Sequence, residues 1–183
     1  MRYDLPTSLM VGGLEYEIRS DYRTILDICA ALNDVELDDN ERGYVLMSIF
    51  YLDFENMPAE LYNEAIRACF SFINCGEEEH DIKQPKLMDW EQDFPLVVAP
   101  VNRILGREVR ALDYMHWWTF ISAYKEIGDC LFSQVVSIRE KKAKGKSLEK
   151  SEREFYRKNR DIIDFKNTYT ESEDDLLKAW GAK

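Results

Sequence analysis

Histidine and cysteine, the side chains that most often bind zinc or act as nucleophiles, are few in this 183-residue chain. His80 and His116 are the only histidines and lie far apart, and the four cysteines form no Cys-x-x-Cys pair. The sequence therefore lacks ligands for a zinc site of the usual spacing. It also offers only two histidines that could belong to a Ser–His–Asp triad. We expect the cysteines to be small buried side chains in a reducing cytoplasm. His116, which lies beside two tryptophans, is expected to pack or to hydrogen-bond.

Carboxylates are abundant, but their spacing does not indicate a metal site. Asp38-Asp39 and Glu77-Glu78-Glu79 could attract a divalent ion, yet neither has the alternating spacing of a calcium loop. The chain also lacks a phosphate-binding Gly-x-x-x-x-Gly-Lys-Ser/Thr loop and a Gly-x-Ser-x-Gly turn. The sequence therefore predicts a protein that is not an enzyme and that uses no metal or other cofactor.

Length and composition predict one folded, soluble domain. Hydrophobic residues make up 45% and aromatic residues 13% of the chain, which is enough for a core. No apolar run approaches the roughly 20 residues that span a bilayer, and the first residues lack the apolar stretch of a secretion signal. We expect an intracellular protein with a helical domain over residues 1–167 and an acidic, flexible tail over residues 168–183.

The fold class expected from periodicity is mainly α, with about six or seven helices and a small β-hairpin near residues 8–18. Gly12-Gly13 separates two short segments that alternate apolar and polar residues, which is typical of a two-residue hairpin turn. Helical spacing begins after Ser20, a plausible helix cap. Pro95 and Pro100 interrupt a later helical pattern, so we expect a kinked helix or two short ones there.

The net charge of −11 is unevenly distributed along the chain. Residues 1–100 hold 21 Asp and Glu against 7 Lys and Arg, whereas residues 101–183 hold 14 against 17. This acidity disfavours nucleic acid as a partner of the whole chain. Arg139–Arg160 is the exception, with ten basic and four acidic residues. It is either a solvated helical face that balances the acidic half or a surface that binds an acidic partner.

Two aromatic segments are candidates for protein contacts. Trp117 and Trp118 are neighbours, about 100° apart on a helix, so we expect them to point to different places. They belong to the core, or one of them anchors a partner. The tail carries Leu176, Leu177 and Trp180, which either dock on their own domain or fold onto a partner.

Several short sequence motifs are distributed over almost the whole chain except the tail. They are Leu5–Ser8, Gly12-Gly13-x-x-Tyr16, Asp21-Tyr22-Arg23, Pro85–Pro95, Ala99–Gly106, Tyr114–Phe120 through Gly128-Asp129, and Phe155–Arg160. In these patterns the chain resembles a family of small proteins of tailed phages and prophages of Gram-positive bacteria. Their genes lie between those of the tail tube and the tape-measure protein, and they are generally assigned as tail assembly chaperones.

The resemblance implies a non-catalytic role in the host cytoplasm during tail assembly, with the protein absent from the mature virion. The partners would be the tape-measure protein, the tail tube protein and a shorter or longer chaperone form. Self-association is a separate expectation from the charge asymmetry, in which Arg139–Arg160 meets the acidic half of a neighbouring copy. An alternative is a regulatory phage protein that binds nucleic acid or a host protein through residues 139–160. The candidate partner-binding residues are Trp117, Trp118, Arg139, Lys142, Arg157, Arg160, Leu176, Leu177 and Trp180.

Overall fold

A computed structural model describes residues 4–34, 36–77 and 85–166, and over these residues the protein is mainly helical, as predicted. The described residues contain eight α-helices, of which all but the last have nine residues or more. The helices are α1 (Tyr22–Leu32), α2 (Asp39–Phe50), α3 (Tyr62–Ile73), α4 (Trp90–Leu105), α5 (Trp117–Lys125), α6 (Leu131–Ala143), α7 (Lys150–Lys158) and α8 (Arg160–Ile163). The predicted tail, residues 168–183, lies outside the described residues.

The predicted N-terminal hairpin is present. Strand β1 (Ser8–Val11) pairs antiparallel with β2 (Leu14–Glu17). Gly12 and Gly13 both adopt positive φ, at 58° and 78°, which a tight two-residue turn requires and side chains resist. This local chemistry sets the register and places Val11 in the protein interior, where it is fully buried.

The chain divides into two compact units, and the boundary falls inside α5. The first unit (unit 1) includes the described residues up to 77 together with 114–120, and the second (unit 2) includes 85–113 and 121–166. The prediction of a single domain over residues 1–167 stays a prediction, because two compact units can still fold as one domain.

Unit 1 consists of the hairpin, α1 to α3 and the start of α5. Helices α1 and α2 pack together, and α3 contacts both α2 and β1. Helix α1 begins after Asp21, whose side chain accepts the N–H of Arg23, so the cap lies one residue beyond the predicted Ser20. The buried apolar side chains come from every one of these elements and include Ile18, Tyr22, Ile25, Leu46, Phe50, Tyr51, Ile66, Phe72, Trp117 and Phe120.

Unit 2 contains α4, the second half of α5 and α6 to α8. Helix α4 runs unbroken through Pro95 and Pro100, so of the two expected forms, a kinked helix or two short ones, the structure excludes the two short helices. Pro95 and Glu91 are both exposed, so water can hydrate the Glu91 carbonyl that loses its helical bond. Burial of the apolar face around Val97 and Val101 favours the continuous helix. Gly106, at a φ of 67°, ends it as expected.

The C-terminal helices of unit 2 share one apolar cluster. Val135, Ile138 and Ile163 are its buried members, and Phe155 and Tyr156 of α7 pack against them.

None of the helices in the described part of the chain combines the length and hydropathy needed to cross a bilayer.

Candidate partner-binding surfaces

The two neighbouring tryptophans both bond to the end of one helix in unit 1. Trp117 Nε1 donates to the carbonyl of Ile73 and Trp118 Nε1 to that of Phe72, each at 2.8 Å. These are the last two residues of α3, whose carbonyls have no partner within the helix. The two indole N–H groups therefore bond to different but adjacent carbonyls at one helix end.

The side chain of Trp117 belongs to the interior, with 2% of its surface exposed, whereas Trp118 is half-buried. The Trp117 ring stacks near Phe120, and the Trp118 ring lies near Phe72. Both indoles are committed to contacts within unit 1, so the surface that either offers to a partner is small.

His116 fixes the start of α5 within unit 1. It is 3% exposed, and its Nδ1 accepts the backbone N–H of Trp118 at 3.0 Å. A neutral ring with an accepting Nδ1 carries its proton on Nε2, which donates to the carbonyl of Pro6 at 2.9 Å. Burial lowers the pKa of His116, against a smaller opposing effect of the Pro6 bond. The neutral side chain therefore links α5 to the N-terminal segment.

Arg139, a candidate cation for partner binding, is inside unit 2 rather than on its surface. The side chain is 4% exposed and makes a two-pronged ion pair with Asp93, with N–O distances of 2.5 and 2.9 Å. Its remaining N–H groups donate to three carbonyls, and its guanidinium lies 4.1 Å from the ring centre of Phe165. Those carbonyls belong to Leu87, Ile162 and Ile163. Arg139 thus joins α6, α4 and the segment around α8.

Lys142 and Arg160 converge on a single carboxylate of unit 2. Asp164 accepts hydrogen bonds from Lys142, Arg160 and the hydroxyl of Tyr156. Burial alone raises the pKa of Asp164, but these bonds outweigh it and hold the pKa at about 2. The two candidate cations are thus partly neutralised by a residue just after α8.

Half of the cations in Arg139–Arg160 pair with carboxylates of unit 2. Five of the ten do so, namely Arg139, Lys141, Lys142, Lys144 and Arg160. Arg157 is different, because it is exposed on α7 and has no ion-pair partner among the described residues. It is the predicted cation that the structure leaves most available to a partner.

Two of the large apolar side chains that unit 1 exposes lie in or directly after α2. The described residues of unit 1 expose six in all, namely Leu5, Met10, Leu14, Tyr44, Leu52 and Tyr114. Tyr44, on α2, is 56% exposed, and Leu52, just after α2, is 49% exposed. The Tyr44 ring packs edge-on against Phe54 at 5.2 Å between centres. The segment from 44 to 52 is nearly continuously apolar, which is typical of a buried helix. Its buried side chains are those of Leu46, Met47, Phe50 and Tyr51. Exposed aromatic residues of this kind are frequent anchors at interfaces.

Within residues 4–34, 36–77 and 85–166, the remaining His, Cys and acidic side chains form no recognisable site. No group of three His, Cys, Asp or Glu side chains within metal-binding reach occurs in the described residues. The four cysteines carry thiols, and only Cys69 is fully buried. The predicted contacts Leu176, Leu177 and Trp180 lie outside the described residues.

The charge asymmetry follows the two units. In the described residues, unit 1 holds 15 Asp and Glu against 4 Lys and Arg, and unit 2 holds 13 against 16. The chain therefore consists of a strongly acidic unit and a slightly basic one.

Comparison with known proteins gives one match. Neither the curated proteins nor the solved structures contain a significant match to the chain. Residues 106–165, from the residue that ends α4 through α8, match the family described as Bacteriophage Gp15 protein, and over these residues the chain is similar to that phage protein family.

Proposed function

We propose that this protein is a phage tail assembly chaperone that binds and solubilises the tape-measure protein and helps to recruit tail tube subunits. The observation that carries the proposal is the match of residues 106–165 to a bacteriophage protein family. The resemblance of the wider sequence to proteins encoded beside tape-measure genes supplies the specific role. The protein acts by binding and not by catalysis, in the host cytoplasm, and it is absent from finished virions.

The surface chemistry is compatible with this role. A protein that coats a long apolar chain needs apolar anchors, and Tyr44 and Leu52 are exposed in unit 1. It must also avoid aggregation with its own copies, and a net charge of −11 favours solubility. The two features occur together in unit 1, which holds 15 acidic against 4 basic described residues and exposes Tyr44 and Leu52.

Co-expression with the tape-measure protein encoded beside it tests the proposal. The tagged chain is captured, and the eluate is analysed by mass measurement and compared with each protein expressed alone. The chaperone role predicts a tape-measure protein that is soluble only in the presence of this chain and that elutes with it in a defined ratio. A tape-measure protein that stays insoluble while this chain elutes alone would contradict it.

The regulatory alternative, binding of nucleic acid through residues 139–160, is weaker because five of the ten cations there are already paired. It predicts DNA affinity that falls steeply with salt. Absence of DNA binding at low salt would exclude this regulatory alternative.

A further inference from the structure

We propose that the exposed basic face of α7 docks on the acidic turn between α1 and α2 of a second copy of this chain. The α7 basic face consists of Lys150, Arg153 and Arg157, and the acidic turn consists of Asp34, Glu36 and Asp38. This contact is independent of any tape-measure protein and therefore goes beyond the proposed chaperone role.

The three cations share one side of α7 because they are three and seven residues apart. All three are exposed, and none has an ion-pair partner among the described residues. The other side of the helix faces unit 2, where Phe155 and Tyr156 pack on the apolar cluster and Glu152 pairs with Lys141. Three exposed acidic residues, Glu149, Glu154 and Asp161, lie close to this face in the sequence, and none of them forms an ion pair with its cations in the described residues.

The α7 basic face is rigidly built. A capping box between Glu149 and Glu152 fixes the start of the helix, and the Lys141–Glu152 ion pair ties it to α6. The helix therefore holds the three cations at a fixed backbone spacing along one face.

The acidic turn offers a matching set of carboxylates. Asp34, Glu36 and Asp38 are all exposed. The nearest cation, Arg42, is 2% exposed and bonds to Asp39 and to the Asp34 carbonyl, so it does not neutralise the turn at the surface. Asp38 also forms a capping box with Glu41 at the start of α2. These bonds fix Asp38, the last carboxylate of the set, at the start of α2.

Charge complementarity favours a second copy over nucleic acid as the occupant. The whole chain is strongly negative and repels a phosphate backbone, whereas each further copy brings a unit with 15 acidic against 4 basic described residues. The two surfaces differ, so a docked pair retains one unused α7 basic face on one copy and one unused acidic turn on the other, unless the contact closes on itself. Association can thus continue head to tail along a partner.

The experiment measures solution mass by analytical ultracentrifugation of the full chain at low and high salt. Exposed charge pairs are screened beyond about 10 Å at 0.1 M salt, so the wild-type mass should rise with concentration at low salt and return to 21.6 kDa at high salt. The double reversal Arg153→Glu/Arg157→Glu and the opposite reversal Asp34→Lys/Glu36→Lys should each weaken association at least tenfold.

Mixing the two reversed variants provides the decisive result, since their altered surfaces are again complementary. Association restored only in the mixture supports the proposed contact. The matched control Arg107→Glu/Lys166→Glu has the same net charge as the α7 variant, uses two other exposed cations, and should associate like the wild type. Circular dichroism of each variant confirms that the helices are intact.

Three results would overturn the proposal. They are a wild-type chain that stays monomeric at low salt over a wide concentration range, a mixture of the reversed variants that stays monomeric, and a control variant that loses association as fully as the α7 variant. Binding of duplex DNA by a monomeric wild type, abolished by Arg153→Glu/Arg157→Glu, would also overturn it and would assign the α7 basic face to nucleic acid.

Discussion

Arg139 and Asp93, 46 residues apart in the sequence, form a two-pronged ion pair in the interior of unit 2. Asp93 is fully buried, and its Oδ2 also accepts the backbone N–H of Asp89 at the start of α4. The other N–H groups of Arg139 are used by carbonyls near α4 and α8. The pair thus connects the beginning of α4 to the segment that ends the described chain.

Replacing either partner alone should strongly destabilise unit 2. Asp93→Asn or Arg139→Met leaves a buried charge without its counterion, which typically costs about 3–5 kcal/mol. Urea unfolding monitored by circular dichroism measures the loss. The double variant Asp93→Asn/Arg139→Met should be less destabilised than the sum of the two single variants, because no unpaired charge remains.

The surface pair Lys144–Glu140 is the control for this prediction, with nearly half of each side chain exposed. Glu140→Gln should change the unfolding midpoint far less than Asp93→Asn, because water screens an exposed pair. Equal effects of the two substitutions would show that burial of the Arg139–Asp93 pair does not determine its contribution.

The tryptophan pair should contribute to stability more than to partner binding. Trp118→Phe keeps an aromatic ring but removes the indole N–H that bonds to the Phe72 carbonyl, which keeps its bond from the Cys75 N–H, so the expected cost is about 1 kcal/mol. Trp117→Ala should cost about 3–5 kcal/mol, since this side chain is 2% exposed. Urea unfolding gives both values.

Capture of the tape-measure protein by Trp118→Phe, measured where the variant is fully folded, distinguishes the two roles. Unchanged capture agrees with a structural role. A large loss of capture without loss of stability would instead identify Trp118 as a partner anchor.

The elements built from neighbouring residues were predictable from the sequence, and the long-range contacts were not. Gly12-Gly13 between alternating segments encodes the hairpin turn locally, and Gly106 marks the end of α4 in the same way. The sequence left open whether α4 continues through Pro100, and burial of its apolar face outweighs the local proline penalty. Tertiary packing decides such cases, and it leaves no signal at the proline itself.

The candidate surfaces show the same division. A run of basic residues predicted a basic segment, but the sequence does not reveal which cations are used internally. Arg139 pairs across 46 residues, whereas Arg157 stays exposed. Tyr44 was missed because it lies in an apolar run, and its exposure follows from which side of α2 faces α1.

Stability should fall as the pH drops below about 6.5, in part because of His116. Burial lowers the pKa of this side chain in the folded protein, so below the ordinary value of about 6.5 the unfolded chain binds a proton that the folded chain does not. Above that pH both states are neutral and the contribution is constant. One such proton changes the free energy of unfolding by at most about 1.4 kcal/mol per pH unit.

The variant His116→Asn tests this linkage, because its side-chain oxygen can still accept the Trp118 N–H but cannot titrate. Urea unfolding at pH 7.5, 6.5 and 5.5 should give a flatter pH dependence for the variant than for the wild type. Its stability at pH 7.5 should be lower, since the bond to the Pro6 carbonyl is lost. Parallel pH profiles would exclude His116 as the source of the dependence.

The proposed chaperone role predicts that Tyr44 and Leu52 contribute to capture of the tape-measure protein. Both side chains are about half exposed, so Tyr44→Ser/Leu52→Ser removes apolar anchors while disturbing little of the core. We expect at least a tenfold loss of captured partner in quantitative pull-downs, equivalent to about 1.4 kcal/mol. Leu131→Ser is the matched control, since Leu131 is 45% exposed but belongs to unit 2. Capture that survives Tyr44→Ser/Leu52→Ser but is lost in Leu176→Ser/Leu177→Ser/Trp180→Ser would move the contact to the tail.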